Sequence, residues 1–210
     1  WGDESNSMDL PANGGDFLQE RIGQTAPLGE ASLDSVMAKV PESRLPKHPL
    51  ISVDTEERVR HARGQSLPDW LAMRSGDFNY FPDGVAYPET SDEVAELMGF
   101  AEREDIIVIP YGGGTSVAGH INPFESQQPI LTIDMGRMNK LMDLDEESLI
   151  ATFGAGTPGP QVEALLRAKG YTLGHYPQSF ELSTLGGWVA SRSSGQQSLR
   201  YGRIEQLFAG

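Results

Sequence analysis

The residues best suited to chemistry lie in a glycine-rich run that follows four β-branched residues. Residues 106–109 predict a strand buried on both faces, which Pro110 should end because proline has no N–H to donate. Residues 112–114 are glycines, so their backbone can approach a ligand closely and their N–H groups can form a concave anion site. Thr115 and Ser116 add two hydroxyl donors. The run predicts a phosphate-binding loop, with a glycine-rich turn that binds nothing as the alternative.

Two common phosphate-binding motifs do not fit this run. It lacks the spacing G-x-x-x-x-G-K-[ST] and no lysine follows, which excludes the P-loop of nucleoside triphosphatases. The residues after Gly119 include Pro123 and show no helical period, so a Rossmann-type site at a helix N-terminus is not expected.

Two later segments have similar chemistry. The second cluster, residues 174–188, mixes hydroxyls, a proline and paired glycines, and Ser183 or Thr184 could cap a helix whose first N–H groups lack acceptors. The third cluster, residues 191–195, carries three serines, a glycine and Arg192, whose guanidinium suits a bidentate phosphate contact. Each segment alone could be a polar surface loop. Three of them, each at the end of an element, indicate one long polyanionic ligand.

An α+β fold is predicted to position these clusters. A strand at residues 84–87, a helix capped by Thr90 and the strand at 106–109 form a βαβ unit that places the glycine-rich run at a strand's carboxyl end, where ligands bind in open sheets. Further predicted elements are a helix at residues 16–22, helices at 54–63 and 67–75, a strand at 130–133, a hairpin at 140–153, a helix capped by Thr157, and a strand at 204–208.

Several side chains carry specific expectations. We expect Leu67, Trp70 and Leu71 to form the buried face of their helix, with Trp70 as a core anchor. In the helix after Thr90, the expected buried stripe comprises Val94, Leu97, Met98 and Ala101. His61 is expected to face solvent, whereas His120 and His175 are expected to pack as polar residues near the site.

Composition limits the classes of function. The formal net charge of −14 argues against nucleic acid or an anionic membrane surface as a partner. The absence of cysteine excludes disulfides and thiolate chemistry, and the four histidines form no tight cluster with acids, so no metal site is expected. Residues 1–50 are predicted to be a partly extended arm, and residues 51–210 an incomplete domain of a larger protein.

The three clusters together resemble a known family of flavoproteins. The runs at 110–116, 179–188 and 191–195, with the supporting stretches Trp1–Gly2, 61–66 and Gly174–His175, are similar to the FAD-binding domain of the vanillyl-alcohol oxidase / p-cresol methylhydroxylase superfamily. Within it, the alkyldihydroxyacetonephosphate synthase (alkylglycerone-phosphate synthase) family is most similar. The resemblance implies a p-cresol methylhydroxylase-type FAD-binding domain of two α/β subdomains, truncated before its end and without the cap domain.

The resemblance also implies which residues would contact FAD, held non-covalently. The pyrophosphate would lie on Pro110, Tyr111, Gly112, Gly113, Gly114, Thr115 and Ser116; the ribityl chain and isoalloxazine edge on Gln178, Ser179, Ser183 and Thr184; and further contacts would come from Ser191, Arg192, Ser193 and Ser194. Gln178 stands where the family pattern has Asp, Ser191 where it has Thr, and Ser193 where it has Ala. The Gln178 contact is the least secure because a charge is lost, and the catalytic residues are expected beyond residue 210.

The implied activity exchanges a fatty acyl group for a fatty alcohol on acyl-glycerone phosphate, with no net redox change. The alternatives are an FAD-dependent dehydrogenase of D-2-hydroxy acids such as lactate or glycolate, and a non-catalytic phosphate-binding module. A small-molecule or lipid substrate follows from either enzyme, and the resemblance allows a homodimer and peripheral membrane contact through missing parts. The expected location is the cytoplasm in a bacterium or the peroxisome in a eukaryote.

Overall fold

The structure, a computed structural model, describes residues 9–24, 26 and 28–209. Trp1–Gly2, which supports the family resemblance, and Gly210 lie outside these residues. The helices of the described residues are α1 (Gly14–Ile22), α2 (Leu33–Met37), α3 (Thr55–Arg60), α4 (Leu67–Ser75), α5 (Ser91–Arg103), α6 (Gly159–Arg167), α7 (Leu185–Ser191), α8 (Ser198–Tyr201) and α9 (Ile204–Leu207). The strands are β1 (Ile51–Ser52), β2 (Gly84–Ala86), β3 (Ile107–Tyr111), β4 (Ile130–Asp134), β5 (Leu141–Asp145) and β6 (Ile150–Phe153).

The first sheet has the order β1-β2-β4-β3, with β2, β4 and β3 parallel and β1 antiparallel. The βαβ prediction is confirmed, with β4 inserted between the two strands that α5 connects. β3 therefore forms an edge, and within it only Ile109 is buried, so the prediction of a strand buried on both faces is wrong. Pro110 does not end the strand, because it pairs in register with Ile133 and an edge position tolerates a residue without an N–H.

The core of this sheet is covered by α5. Thr90 caps the helix as predicted, with its hydroxyl accepting the Glu93 amide at 3.2 Å. Leu97 and Ala101 are buried against the sheet, whereas Met98 is 49% exposed, so the predicted stripe is shifted toward Phe100. This packing holds β3, and the loop that follows it, against the body of the domain.

The helix α4 begins and ends as predicted but buries a different face. Ser66 and Asp69 form a capping box, and Gly76 ends the helix with a left-handed φ of 70°. Asp69 is 1% exposed, whereas Trp70 is 54% exposed, and Leu67 and Leu71 are also exposed. The prediction that these apolar residues form the buried face is therefore wrong. The cause is the Asp69 carboxylate, which accepts from Asn122 Nδ2 at 2.6 Å and turns the polar side of the helix inward.

Part of the N-terminal arm packs on the domain. α1 has no buried residue, whereas Val36 of α2 is fully buried. Val36 packs in one cluster with Val59, Ala62, Phe78 and Phe81. Nearby, the buried guanidinium of Arg58 donates to the carbonyl oxygens of Pro82 and Pro41 at 2.7 and 2.8 Å. Residues 31–45 thus contribute to the core, and the division of the chain at residue 50 stays a prediction.

The second half begins with the predicted antiparallel hairpin of β5 and β6. Thr157 does not cap α6, because Pro158 occupies that position and the Thr157 hydroxyl donates to the Gly154 carbonyl at 2.7 Å. The strand predicted at residues 204–208 is wrong, since α9 forms there with Ile204 buried. None of the described helices is long and apolar enough to span a bilayer.

The first testable prediction concerns Asp83, which joins the arm to the sheet. Its buried carboxylate accepts from the Arg44 guanidinium at 2.7 and 2.9 Å and from the Ile130 amide at 2.8 Å. Burial raises the pKa of Asp83, but these hydrogen bonds outweigh it and the pKa lies below its ordinary value. Asp83→Ala should lower the free energy of unfolding by about 2–3 kcal/mol at neutral pH, measured by urea denaturation.

The sign of the pH dependence follows from the lowered pKa. The contribution of Asp83 is present above the unfolded pKa of about 4 and is lost as pH falls through the folded value. The difference between wild type and Asp83→Ala should therefore shrink in acid. Asp77→Ala, at an exposed carboxylate of the same type, is the matched control and should change stability by about 0.5 kcal/mol or less. Equal losses in both variants would contradict the assignment.

Candidate functional site

The glycine loop, residues 112–116, meets the second cluster at a close backbone contact. A Cβ on Gly113 would collide with the Leu182 carbonyl oxygen, and one on Gly112 would collide with the Thr184 hydroxyl. Gly114 has a left-handed φ of 67°, and a Cβ there would collide with the Tyr111 hydroxyl. The glycines therefore bring two of the three clusters together. One reason for glycine at these positions is the close approach of the backbone at residues 182–184.

The amides of the glycine loop are free to bind a ligand. Among the described residues, no oxygen accepts the amide hydrogens of residues 112–116. Gly114 is itself buried, and a buried amide without an acceptor costs about 1–3 kcal/mol. A run of free amides at the carboxyl end of a parallel strand suits anionic oxygens.

The start of α7 does not offer a second anion site. Thr184 is its cap, as predicted, and accepts from the Gly187 amide at 3.4 Å. The amides of Leu185 and Gly186 donate to the carbonyls of Thr157 and Ala155 at 2.9 and 2.8 Å. The prediction of first-turn N–H groups without acceptors is therefore wrong, because the turn before α6 supplies those acceptors.

Several of the predicted hydroxyls bind protein groups, including those of Ser183 and Ser191. Ser183 Oγ accepts from Trp188 Nε1 at 2.7 Å and donates to the Ser179 carbonyl at 2.8 Å. Ser191 Oγ donates to the Gly187 carbonyl at 2.7 Å. Among the described residues, by contrast, the side chains of Gln178, Ser179 and Ser194 have no hydrogen-bond partner, and Gln178 and Ser194 are exposed.

The third cluster lies at the opposite end of α7 from the glycine loop. Seven helical residues rise about 10 Å, which separates Ser191 from Thr184. Arg192 adopts a left-handed φ of 53°, and its exposed guanidinium contacts Glu205 at 3.3 Å. The structure therefore brings the first two clusters into contact and sets the third apart from the glycine loop. An extended ligand could still reach all three.

Residues 61–69 pack beside the glycine loop, where they form one wall of the site. The Gln65 amide donates to the Ser116 carbonyl at 2.6 Å, and the Gly64 amide donates to Asn122 Oδ1 at 2.9 Å. The Asn122 side chain also binds Asp69, so one amide group links this wall to α4. The sequence analysis did not predict this link between Gly64, Asn122 and Asp69. The one indication in the sequence was Asp69, a carboxylate at the third position of its helix.

The histidines differ from one another. His61 is 8% exposed and binds Asp134 Oδ2 at 2.9 Å, so the expectation that it faces solvent is wrong. His175 is packed as expected: it is 1% exposed, its Nε2 lies 2.7 Å from Ser193 Oγ, and burial lowers its pKa. His120 is exposed, so the packing expected for it is wrong.

Comparison with known proteins decides the family. A family model described as an FAD binding domain matches residues 82–210, more than half of the chain. The chain belongs to the FAD-binding domain family. Its cofactor is FAD, and the matched region contains all three clusters. The architecture, with its two α/β parts, is that of the p-cresol methylhydroxylase-type FAD-binding domain.

Individual relatives agree with this membership. The alkyldihydroxyacetonephosphate synthase of Trypanosoma brucei brucei is 38% identical over 159 residues, covering 75% of the chain and 26% of the relative. A solved alkyldihydroxyacetonephosphate synthase is 32% identical with a TM-score of 0.77, covering 91% of the chain and 38% of that structure. The glycolate oxidase subunit GlcD of Bacillus subtilis (strain 168) is 29% identical over 161 residues, covering 73% of the chain and 34% of the relative. The chain thus spans about a quarter to a third of these relatives.

The residues present fit FAD at the glycine loop. The pyrophosphate of FAD carries anionic oxygens, and residues 112–116 present amides that no described protein oxygen accepts.

The second testable prediction concerns Gly113. Gly113→Ala should abolish FAD binding, because the new Cβ would collide with the Leu182 carbonyl oxygen and displace the glycine loop. FAD affinity is measured by quenching of flavin fluorescence, with circular dichroism to show that the variant folds. Gly29→Ala is the matched control, since a Cβ there meets no atom within 4 Å, and it should bind FAD as wild type does. Stoichiometric FAD on Gly113→Ala would refute this placement.

The third testable prediction separates the serines of the second cluster. Ser183→Ala should lower the free energy of unfolding by about 1–3 kcal/mol, because it leaves Trp188 Nε1 buried without its acceptor. Ser179→Ala removes a hydroxyl with no described partner and should leave stability within about 0.5 kcal/mol. Thermal and urea denaturation measure both. If Ser183→Ala matched Ser179→Ala in stability, the structural role of Ser183 would be wrong.

Proposed function

We propose that this chain is the FAD-binding portion of a flavoenzyme of the alkyldihydroxyacetonephosphate synthase type. The observation that carries the proposal is the glycine loop, whose five successive amides have no acceptor among the described residues. The loop holds the pyrophosphate, so the nucleotide runs along the edge formed by the carboxyl end of β3 and the start of α7. The 38% identity to a synthase favours this type over other flavoenzymes.

The remaining predicted site residues differ in whether their side chains are free to contact FAD. Gln178 and Ser179 have side chains without described partners, which suits them to the ribityl chain and the isoalloxazine edge. Ser183, Ser191 and Ser193 contribute through the backbone they hold in place, since their hydroxyls bind protein groups. Thr184 caps α7 and contacts Gly112, which fixes the junction between the two clusters. Ser194 and Arg192 lie at the far end of α7, where the guanidinium can exchange Glu205 for a ligand oxygen.

FAD supplies an isoalloxazine ring that can accept and return an electron pair. The protein's part within this chain is to bind and orient that cofactor. The exchange of a fatty acyl group for a fatty alcohol on acyl-glycerone phosphate leaves substrate and product at the same oxidation level, so it needs no electron acceptor. We place the groups that act on the substrate outside this chain, which spans about a quarter of the synthase relative.

A second candidate is oxidation of a D-2-hydroxy acid. It is favoured by the 29% identity to glycolate oxidase subunit GlcD, which covers 73% of the chain. This reaction passes two electrons from substrate to FAD and then to an acceptor, whereas the exchange does not. The need for an electron acceptor therefore separates the two candidates. For the whole protein we further propose a homodimer and peripheral membrane contact through parts outside this chain. We propose a cytoplasmic location if the source is a bacterium and a peroxisomal one if it is a eukaryote.

The fourth testable prediction is made on the purified full-length protein, which would carry the groups that act on the substrate. It should show visible flavin absorption, and the flavin should be released by heat or acid because it is not covalently bound. With acyl-glycerone phosphate and a long-chain alcohol, it should release fatty acid and form the alkyl ether without an added acceptor. Reduction of a dye acceptor by D-lactate or glycolate would instead favour the second candidate. A colourless protein that cannot be reconstituted with FAD would contradict both.

A further inference from the structure

His61 lies directly behind the glycine loop. Its ring centroid is 4.5 Å from that of Tyr111, the last residue of β3 before the loop. Nδ1 is 2.7 Å from the Glu57 carbonyl oxygen, and Nε2 is 2.9 Å from Asp134 Oδ2. Asp134 in turn is the residue that faces Tyr111 in register across β4 and β3. One imidazole thus connects the end of α3 to both strands that support the loop.

These distances require a proton between the histidine and the aspartate. A backbone carbonyl only accepts, so Nδ1 must carry a hydrogen. Nε2 then faces a carboxylate oxygen, and two lone pairs would repel one another at 2.9 Å. A proton lies between them, whether it is assigned to the imidazolium of His61 or to the carboxyl group of Asp134.

We propose that His61 is a positioning residue for the FAD site, acting through its proton bridge to Asp134. The bridge fixes the Tyr111 ring, and the Tyr111 hydroxyl occupies the space that a Cβ on Gly114 would need. A shift of Tyr111 therefore moves the glycine loop and its free amides. This inference rests on the proposed function, because it assumes that the loop binds FAD.

Several titratable and charged groups face the bridge. They are Glu57 on α3, Tyr87 after β2, Tyr111 on β3, Asp134 on β4, and Arg137, which stacks over the Tyr87 ring at 5.2 Å. Burial, with nearby carboxylates, raises the pKa of both Tyr87 and Tyr111 to about 12. Both tyrosines are therefore neutral at neutral pH, and the Tyr111 ring brings no charge to the bridge.

Loss of the bridge should weaken FAD binding. Without it, α3 is no longer tied to β4 and the Tyr111 ring is released. The dissociation constant for FAD should therefore rise about fivefold or more, a coupling typical of linked sites.

Two variants separate the bridge from the packing of the ring. In Asp134→Asn, the amide can donate to Nε2 and its oxygen can still accept from the Gly136 amide, so the link is kept and FAD affinity should stay within about twofold of wild type. His61→Phe keeps a ring against Tyr111 but removes the bridge, and should bind FAD about fivefold more weakly.

The test combines two measurements on the protein. The fifth prediction is that FAD affinity, followed by flavin fluorescence, behaves in both variants as stated. Wild-type affinity in His61→Phe would overturn the proposal. If His61→Phe fails to fold by circular dichroism, Asp134→Ala, which removes the partner of Nε2 and keeps the ring, decides by the same criterion.

The second measurement is independent of FAD. In FAD-free protein, ¹⁵N chemical shifts of the His61 ring should show that both nitrogens share or carry a proton at neutral pH. An Nε2 shift typical of an unprotonated nitrogen without a hydrogen bond would overturn the proposal whether or not FAD binds. Failure of wild type to bind FAD, with the bridging proton present, would instead reject the proposed function and the assignment of His61 to an FAD site.

Discussion

The contact between Gly113 and the Leu182 carbonyl oxygen is the constraint on which the rest of the site depends. Backbone can meet backbone this closely only where no Cβ intervenes. The contact joins the carboxyl end of an edge strand to the turn before α7. The residues that follow this turn, Leu185 and Gly186, donate their amides to the carbonyls of Thr157 and Ala155. The first sheet and the hairpin-and-helix region are therefore joined where the ligand would lie.

Hydrogen bonding assigns different tasks to clusters that look alike in sequence. In the second cluster, the Ser183 and Thr184 hydroxyls and the first helical amides bind protein groups, as Ser183 does with Trp188. The glycine loop keeps its amides free, because β3 ends just before it and no segment among the described residues supplies acceptors. One segment is thus a structural support, and the other offers amides that suit an anion. The negative formal charge of the chain is no obstacle, since this recognition uses neutral backbone dipoles.

Local features of this structure could be predicted from sequence because their causes lie within a few residues. Thr90 and Ser66 cap their helices through side chains three residues from the amides they bind, and Gly76 ends α4 by a conformation that glycine adopts freely. The FAD-binding family could be predicted because the motif residues and their order resemble one family over most of the chain. The family match over residues 82–210 confirms the family, whereas the individual residues that contact FAD stay a prediction.

The wrong predictions concern positions whose burial or pairing depends on a residue far away in the sequence. Trp70 is exposed because Asn122, far along the chain, binds the adjacent Asp69 and turns α4. His61 is buried because β4 brings Asp134 to it, and the helical period of residues 54–63 carries no trace of that partner. The edge position of β3, which lets Pro110 stay within a strand, depends on β4 pairing between β2 and β3. Predicting any of these three features requires knowledge of the tertiary topology.

The central claim is that the free amides of residues 112–116 bind the phosphates of FAD. Amide hydrogen exchange of the protein, with and without saturating FAD, measures this residue by residue. The account predicts that Gly113, Gly114 and Thr115 gain protection on binding, whereas Leu185 and Gly186, which already donate to protein carbonyls, are protected in both states. FAD binding that leaves exchange in the glycine loop unchanged would contradict the account.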